Sequence, residues 1–316
     1  VSFAAMAWQM HWTFPLELFA AVFVAFYHIF IATYKAIFPT RKSVKGEIVL
    51  ITGSGSGLGR LMAQRFAKLG STVVLWDVNQ AGNEETAKLC KALGVPTFSY
   101  TVDLCSRETI YAMAERVKKE VGDVTILVNN AGVVSGKPFL LCSDQQVDVT
   151  MKVNIMAHFW TVKAFLPSMV DTNHGHMVTV ASSAGVVGVH GLADYCASKF
   201  AAVGFDESIR MELTKLNKTG VKTTCVCPYY IHTGMFDGVQ TKFEFLMPIL
   251  QPDYVADKII NAIQTNQAFL VMPRFNYLAP LFRLLPTSLC DAACVWLGIS
   301  DSMDGFRGRG HPDKAK

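Results

Sequence analysis

The apolar run Ile48-Val49-Leu50-Ile51 leads directly into Thr52-Gly53-Ser54-Gly55-Ser56-Gly57-Leu58-Gly59, and helix-forming sequence follows. A β-branched run of this length reads as a buried strand. Gly53, Gly57 and Gly59 let the chain turn tightly off that strand and bring backbone N–H groups close to an anion at a helix start. No Gly-Lys-Ser/Thr closes the run, which excludes a phosphate-binding P-loop. The three-residue gap between Gly53 and Gly57 also departs from the GxGxxG spacing of other dinucleotide folds.

Beyond this turn, short apolar runs alternate with helical stretches. Ile48–Thr52, Thr72–Trp76, Thr97–Val102, Thr125–Val128, His176–Ala181, Val221–Val226 and Phe269–Met272 each predict a buried parallel strand. Strand and helix repeated in this way predict an α/β fold, a Rossmann-type doubly wound parallel sheet in a single domain. The expected boundaries are a membrane anchor at 1–38, a basic linker at 39–46 and a catalytic domain at 47–274. An apolar extension at 275–305 and a flexible tail at 306–316 complete the chain.

The chain has 316 residues, 51% of them hydrophobic and only 17% charged, and the apolar excess lies towards its ends. From Leu18 to Tyr34 seventeen residues carry no formal charge, a length that as a helix spans roughly 26 Å and approaches a bilayer core. Trp8, Trp12, Tyr27 and Tyr34 are candidate interfacial anchors. No Lys or Arg precedes the run, which argues against a cleaved signal peptide, while a buried helix or a hairpin in one leaflet is the alternative to a span. Lys35, Arg41, Lys42 and Lys45 all follow it, so the positive-inside bias puts everything after Pro39 in the cytosol. The net charge of +4 is small and scattered, so no nucleic-acid partner is expected. The eight cysteines contain no CxxC pair and no metal-ligand spacing; free thiols and no metal site are expected.

In the glycine turn, Gly53, Ser54, Gly57, Leu58 and Gly59 are the expected contacts to a dinucleotide. Asp77 ends the second strand eighteen residues after Gly59, where an adenosine ribose should lie. A carboxylate there accepts from both ribose hydroxyls and repels a 2′-phosphate, and Val78, Asn79 and Gln80 offer no basic residue, so NAD is favoured over NADP. The competing role for Asp77 is to cap the next turn. Asp103, after the third strand, and Asn130, Ala131 and Gly132, after the fourth, fall where further cofactor contacts are expected.

Tyr195 and Lys199 lie one helical turn apart and share a face. A free phenol is a poor base at neutral pH, but a nearby ammonium and an oxidised nicotinamide ring both favour the phenolate. Tyr195 would then take a hydroxyl proton as hydride leaves for the ring, and both residues should touch the cofactor. Ser182, thirteen residues before Tyr195, is expected to hold the same substrate oxygen, in preference to Ser183. Order and spacing together point to a nicotinamide-dependent alcohol dehydrogenase or carbonyl reductase.

TGSGSGLG, NNAG, Asn154, Ser182 and Tyr195-x-x-x-Lys199 resemble the short-chain dehydrogenase/reductase superfamily across nearly all of residues 46–275. That resemblance implies that Asn154 completes a catalytic tetrad, holding a water that relays protons to Lys199. It also implies that Thr233 bonds the nicotinamide carboxamide, and a homodimer is expected. Pro228-Tyr229 stands where many members have Pro-Gly.

The phrases at 46–53, 74–77, 118–132 and 194–200 look like the membrane-bound retinol dehydrogenase branch, and Met303-Asp304-Gly305-Phe306 looks like an epidermal type within it. The branch implies oxidation of all-trans-retinol with NAD at the endoplasmic reticulum, and on lipid droplets. A sister branch implies the alternative, a 17β-hydroxysteroid or another lipid alcohol. Met235, Phe236, Phe243, Phe245, Leu246 and Met247 suit a lid over an apolar, lipophilic substrate, with core packing or lipid contact as the competing role. The 275–299 stretch, broken by Pro280 and Pro286, is expected to pack over the substrate mouth or dip into the membrane interface, with plain core packing the alternative. A catalytically idle membrane scaffold is the rival from outside enzymology, and the intact Ser182, Tyr195, Lys199 and Asn154 oppose it.

Overall fold

The computed structural model describes residues 3–308, with nothing stated for the side chains of 1–13, 32, 35 and 36. The side chains of the Trp8 and Trp12 anchors are among those not described, and the tail from 309 onward lies outside the described residues. Two units are compact in themselves, Val1–Lys42 and Ser43–Lys316. The first is one helix, α1 (Phe3–Ile37), about 50 Å long. Its Phe14–Ile31 window has a mean hydropathy of 1.9 with none of it buried, so it is long and apolar enough to cross a membrane.

The second unit holds a seven-stranded, wholly parallel sheet in the order β3-β2-β1-β4-β5-β6-β7. The strands are β1 (Ile48–Thr52), β2 (Thr72–Asp77), β3 (Thr97–Thr101), β4 (Ile126–Asn129), β5 (Gly175–Val180), β6 (Val221–Pro228) and β7 (Phe269–Met272). Side chains alternate across the pleat, and both faces are buried. Val49 and Ile51 pack with α2 (Gly57–Lys68), α3 (Gln80–Lys91) and α8 (Pro252–Gln264). Leu50 points the other way, into a core shared by α4 (Arg107–Glu120), α6 (Ala157–Thr172) and α7 (Ala193–Lys215). Strand order reverses between β1 and β4, and the carboxyl ends on either side of that switch point leave a crevice.

Local chemistry sets the helix starts. The Asn79 side chain accepts from the Gly82 amide, Ser106 accepts from Thr109, and Ser143 with Gln146 forms a capping box for α5 (Asp144–Met151). A π-helical turn, Lys152–Met156, joins α5 to α6 and carries Asn154. Such single π turns cluster at functional sites because they rotate one side chain out of the α register. Beyond β7, α9 (Ala279–Phe282) and α10 (Thr287–Trp296) form the apolar extension. The expected tail at 306 starts too early: Phe306 is half-buried in an apolar cluster, and the Arg307 amide donates to the Asp237 carbonyl at 2.8 Å.

Candidate active site

One cavity of about 440 Å³ gathers residues from both ends of the body: Gly53, Leu58, Gly59, Asp77, Asp103, Asn130, Ala131, Gly132, Ser182, Tyr195, Lys199 and Thr233 all line it. The turn after β1 is built around close approach. Gly53 has φ +67°, and a Cβ on Gly59 would run into the Gly53 carbonyl and the Asn130 side chain. Asn130 Nδ2 donates to the Thr52 carbonyl at 2.8 Å, and Thr52 Oγ1 accepts from the amides of Asn130 and Ala131 at 3.0 and 3.1 Å. Thr52 therefore welds the two strand ends on either side of the crevice. The result is a cradle with no side chains where a pyrophosphate would approach the start of α2.

Asp77 accepts from the Gly55 amide at 2.8 Å through one oxygen and from the Asn79 amide at 2.8 Å through the other. It thus caps the turn, as the competing reading held, and still presents a carboxylate to the cavity. Arg60, the nearest base in sequence to the glycine turn, is committed elsewhere. Its guanidinium donates to the Gly55 and Gly82 carbonyls and to Thr86, and it pairs with Glu85 at 3.0 Å. The residues present therefore fit a dinucleotide.

Three expected contacts do not line the cavity. Ser54 is fully buried, its hydroxyl bonded to Asn83 Oδ1 at 2.7 Å and to the Trp76 carbonyl at 3.2 Å, because the strand direction turns its side chain into the sheet edge. Gly57 shapes the turn without facing the cavity. Asn154 is fully buried behind it: Oδ1 accepts the Val133 amide at 2.9 Å, and Nδ2 donates to the Val133 carbonyl and to Ser198 Oγ, both at 3.0 Å. The sequence reading passed over Ser56, which lines the cavity as the N-cap of α2 with its hydroxyl free of any cap bond. A serine directly before the helix is the signal that could have found it.

Lys199 donates to the Val180 carbonyl at 2.9 Å, and its ammonium lies 5.5 Å from the centre of the Tyr195 ring. Ser183 is buried and donates its hydroxyl to the Pro228 carbonyl at 2.9 Å, whereas Ser182 lines the cavity, its hydroxyl 3.5 Å from the same carbonyl and accepting the Ala184 amide at 3.1 Å. Burial pushes the Tyr195 phenol above its ordinary value, with Ser182 pulling the other way. The expected lowering by Lys199 is not a property of the protein alone, where loss of water is the largest influence on the phenol. Burial also lowers Lys199, to about 8, with Cys227 and Cys225 opposing. A further buried group was not anticipated. His158 is 2% exposed, neither ring nitrogen has a hydrogen-bond partner among the described residues, and burial with the Lys199 charge lowers it to about 3.

Of the expected lid, Met235, Phe236 and Met247 line the cavity, while Phe243 packs on Trp296 at 5.1 Å and Phe245 is 82% exposed. Phe275, Phe282, Cys290, Cys294 and Leu297 of the C-terminal extension line it too. Tyr229 continues the strand path after Pro228, its amide bonded to the Met272 carbonyl at 2.7 Å, so the departure from Pro-Gly adds an aromatic wall and keeps the pairing.

A cradle for a nicotinamide dinucleotide beside a phenol, an amine and a serine defines an oxidoreductase of the alcohol dehydrogenase type. Residues 47–243 match the short chain dehydrogenase family model, and the chain belongs to the short-chain dehydrogenase/reductase family. It is 52% identical over 268 residues to epidermal retinol dehydrogenase 2 of Homo sapiens, covering 84% of this chain and 87% of the relative. It is 52% identical over 247 residues to estradiol 17-beta-dehydrogenase 11 of Homo sapiens, covering 78% and 81%. Among solved structures, a metagenomic short-chain oxidoreductase in complex with NADP superposes with a TM-score of 0.61 at 27% identity, covering 73% of this chain and 96% of the other.

Proposed function

We propose that this enzyme oxidises a long apolar alcohol, all-trans-retinol, to the aldehyde with NAD. The observation that carries the reading is one cavity shared by Asp77 and the glycine turn, by Tyr195 and Lys199, and by the apolar Phe236, Met247, Phe282 and Leu297. The 52% identity to a retinol dehydrogenase supports the alcohol. A hydroxysteroid is the second reading, supported by equal identity to an estradiol dehydrogenase.

Gly53, Ser56, Gly59, Asp77, Asn130 and Thr233 would hold the dinucleotide, which when bound supplies a hydride acceptor and a positive charge. Asp77 supports NAD, because its carboxylate would repel a 2′-phosphate and Arg60 is engaged with carbonyls and Glu85. Ser182 donates to the substrate oxygen and orients it. Tyr195 Oη takes the hydroxyl proton. Lys199, cationic below about pH 8, favours the phenolate electrostatically, and the Asn154–Ser198 pair fixes the helix turn that carries both.

We further propose that α1 anchors the protein in the endoplasmic reticulum membrane with the body in the cytosol, as the basic residues after it support. Leu284 and Trp296, 82% and 62% exposed, are apolar surface of the kind found at a lipid interface. The test is a panel of retinol, estradiol and shorter alcohols, each run with NAD and with NADP. The reading expects the highest kcat/KM for retinol with NAD; preference for estradiol selects the second reading, and no turnover of any of them overturns both.

A further inference from the structure

We propose that the segment Ser302–Arg307 is a clasp that fixes the substrate end of the cavity, with Phe306 as its positioning residue for the alcohol. The inference rests on the reading of the cavity as an apolar-alcohol site.

The segment touches three separate loops around Tyr195. Met303 packs over Gly191, just before α7, where the nearest approach to an added Cβ would be 3.4 Å. The Gly305 carbonyl sits against Gly238 of the substrate loop, and the Phe306 ring lies on Gly136 of the loop after β4; a Cβ at either glycine would collide with the segment. Close approach of this kind needs bare backbone on the receiving side. Hydrogen bonds fasten both margins. The Gln240 amide donates to the Ser302 carbonyl at 3.1 Å, the Arg307 amide to the Asp237 carbonyl at 2.8 Å, and Ser302 Oγ lies 3.0 Å from Tyr230 Oη, with both residues buried.

Phe306 reaches the chemistry through a second ring. Its centroid is 6.3 Å from Phe236, which meets Tyr195 edge-on at 5.7 Å and Tyr230 at 5.1 Å. Phe236 and Ser302 line the cavity. A parallel route runs through the Gly136 loop, since Ser135 donates to Asp194, the neighbour of Tyr195, at 2.8 Å. Phe306 therefore holds Phe236 against the catalytic phenol, and that ring forms the wall an apolar chain must pass. Packing between rings is directional, so a smaller side chain at 306 frees Phe236 to turn.

The test uses the full chain, with Phe306→Ala, Phe306→Tyr and Ser302→Ala beside wild type. Phe306→Ala should raise KM for all-trans-retinol by roughly fivefold with a smaller change in kcat. NADH affinity should stay at the wild-type value, and Phe306→Tyr should restore most of the loss. If Phe306→Ala fails to fold, Ser302→Ala carries the test, with a smaller rise in KM expected because it breaks the hydroxyl's bonds to Tyr230 and to the Ile299 carbonyl and leaves the Phe306 ring in place. Hydrogen exchange gives a readout independent of substrate: amides at 236–247 should exchange faster in Phe306→Ala, while those at 53–59 stay protected. Wild type inactive on retinol, with this exchange pattern intact, would sink the retinol reading and leave the clasp standing. Unchanged KM in folded Phe306→Ala, or unchanged exchange at 236–247, would overturn the clasp.

Discussion

The Lys199 ammonium stands 5.5 Å from the centre of the Tyr195 ring while donating to the Val180 carbonyl at 2.9 Å, so α7 is tied to the end of β5 through the residue that faces the phenol. This contact locates the fixed positive charge of the site, and burial holds that charge down to a pKa of about 8. Replacing Lys199 with Ala removes it, and the phenol, already raised by burial, rises further. The ascending limb of kcat/KM against pH should move to higher pH. An unchanged profile would remove Lys199 from the proton-transfer account.

Asp77 bears on cofactor choice. Asp77→Ala deletes both an acceptor for ribose hydroxyls and a repellent for phosphate, so NAD affinity should fall roughly tenfold or more and the preference over NADP should narrow. Paired titrations with NADH and NADPH read this directly. Equal losses for both cofactors would reduce Asp77 to the turn cap that its bonds to Gly55 and Asn79 also make.

The glycine turn and the Tyr195–Lys199 pair were legible because each is local. A β-branched run followed by glycines turns wherever it occurs, and residues four apart on a helix share a face. The seven strands were legible for the same reason, as apolar runs separated by helix-length gaps. Ser54 and Ser56 were not separable, since which hydroxyl faces the crevice depends on how β1 meets Trp76 and Asn83 across the sheet. His158 reads as an ordinary helix residue until α6 buries it beside Lys199. The seating of Phe306 on Gly136 joins residues far apart in the chain, and no periodicity announces such a contact.

His158 gives a pH-dependent stability. Its pKa falls from 6.5 to about 3 on folding, so the native state binds fewer protons than the unfolded chain. Its contribution is complete above about pH 6.5 and is lost as pH falls towards about 3. Asp206, raised by burial to about 7, acts with the opposite sign, its contribution being complete at low pH and lost as pH rises through about 7. Comparing His158→Leu with wild type isolates the first group. The variant should lose less stability than wild type between pH 6 and pH 4 in urea melts, and parallel curves would contradict the account.

Asn217-Lys218-Thr219 is a glycosylation sequon in the turn before β6, and Asn217 is exposed. With the body in the cytosol, it should remain unmodified. Expression of the full chain in cells, followed by glycosidase treatment, should produce no mobility shift. A shift that Asn217→Gln abolishes would put the body in the lumen and reverse the orientation.

The central claim is that Tyr195 removes the hydroxyl proton of an apolar alcohol in a cavity that also holds the dinucleotide. The most direct measurement is the initial rate of all-trans-retinol oxidation with NAD by Tyr195→Phe and by wild type, with NADH affinity measured on both. Tyr195→Phe keeps the ring that packs on Phe236 and lacks only the oxygen. The account predicts a fall in kcat of roughly two orders of magnitude or more with NADH affinity unchanged. Near-normal turnover by Tyr195→Phe would contradict it.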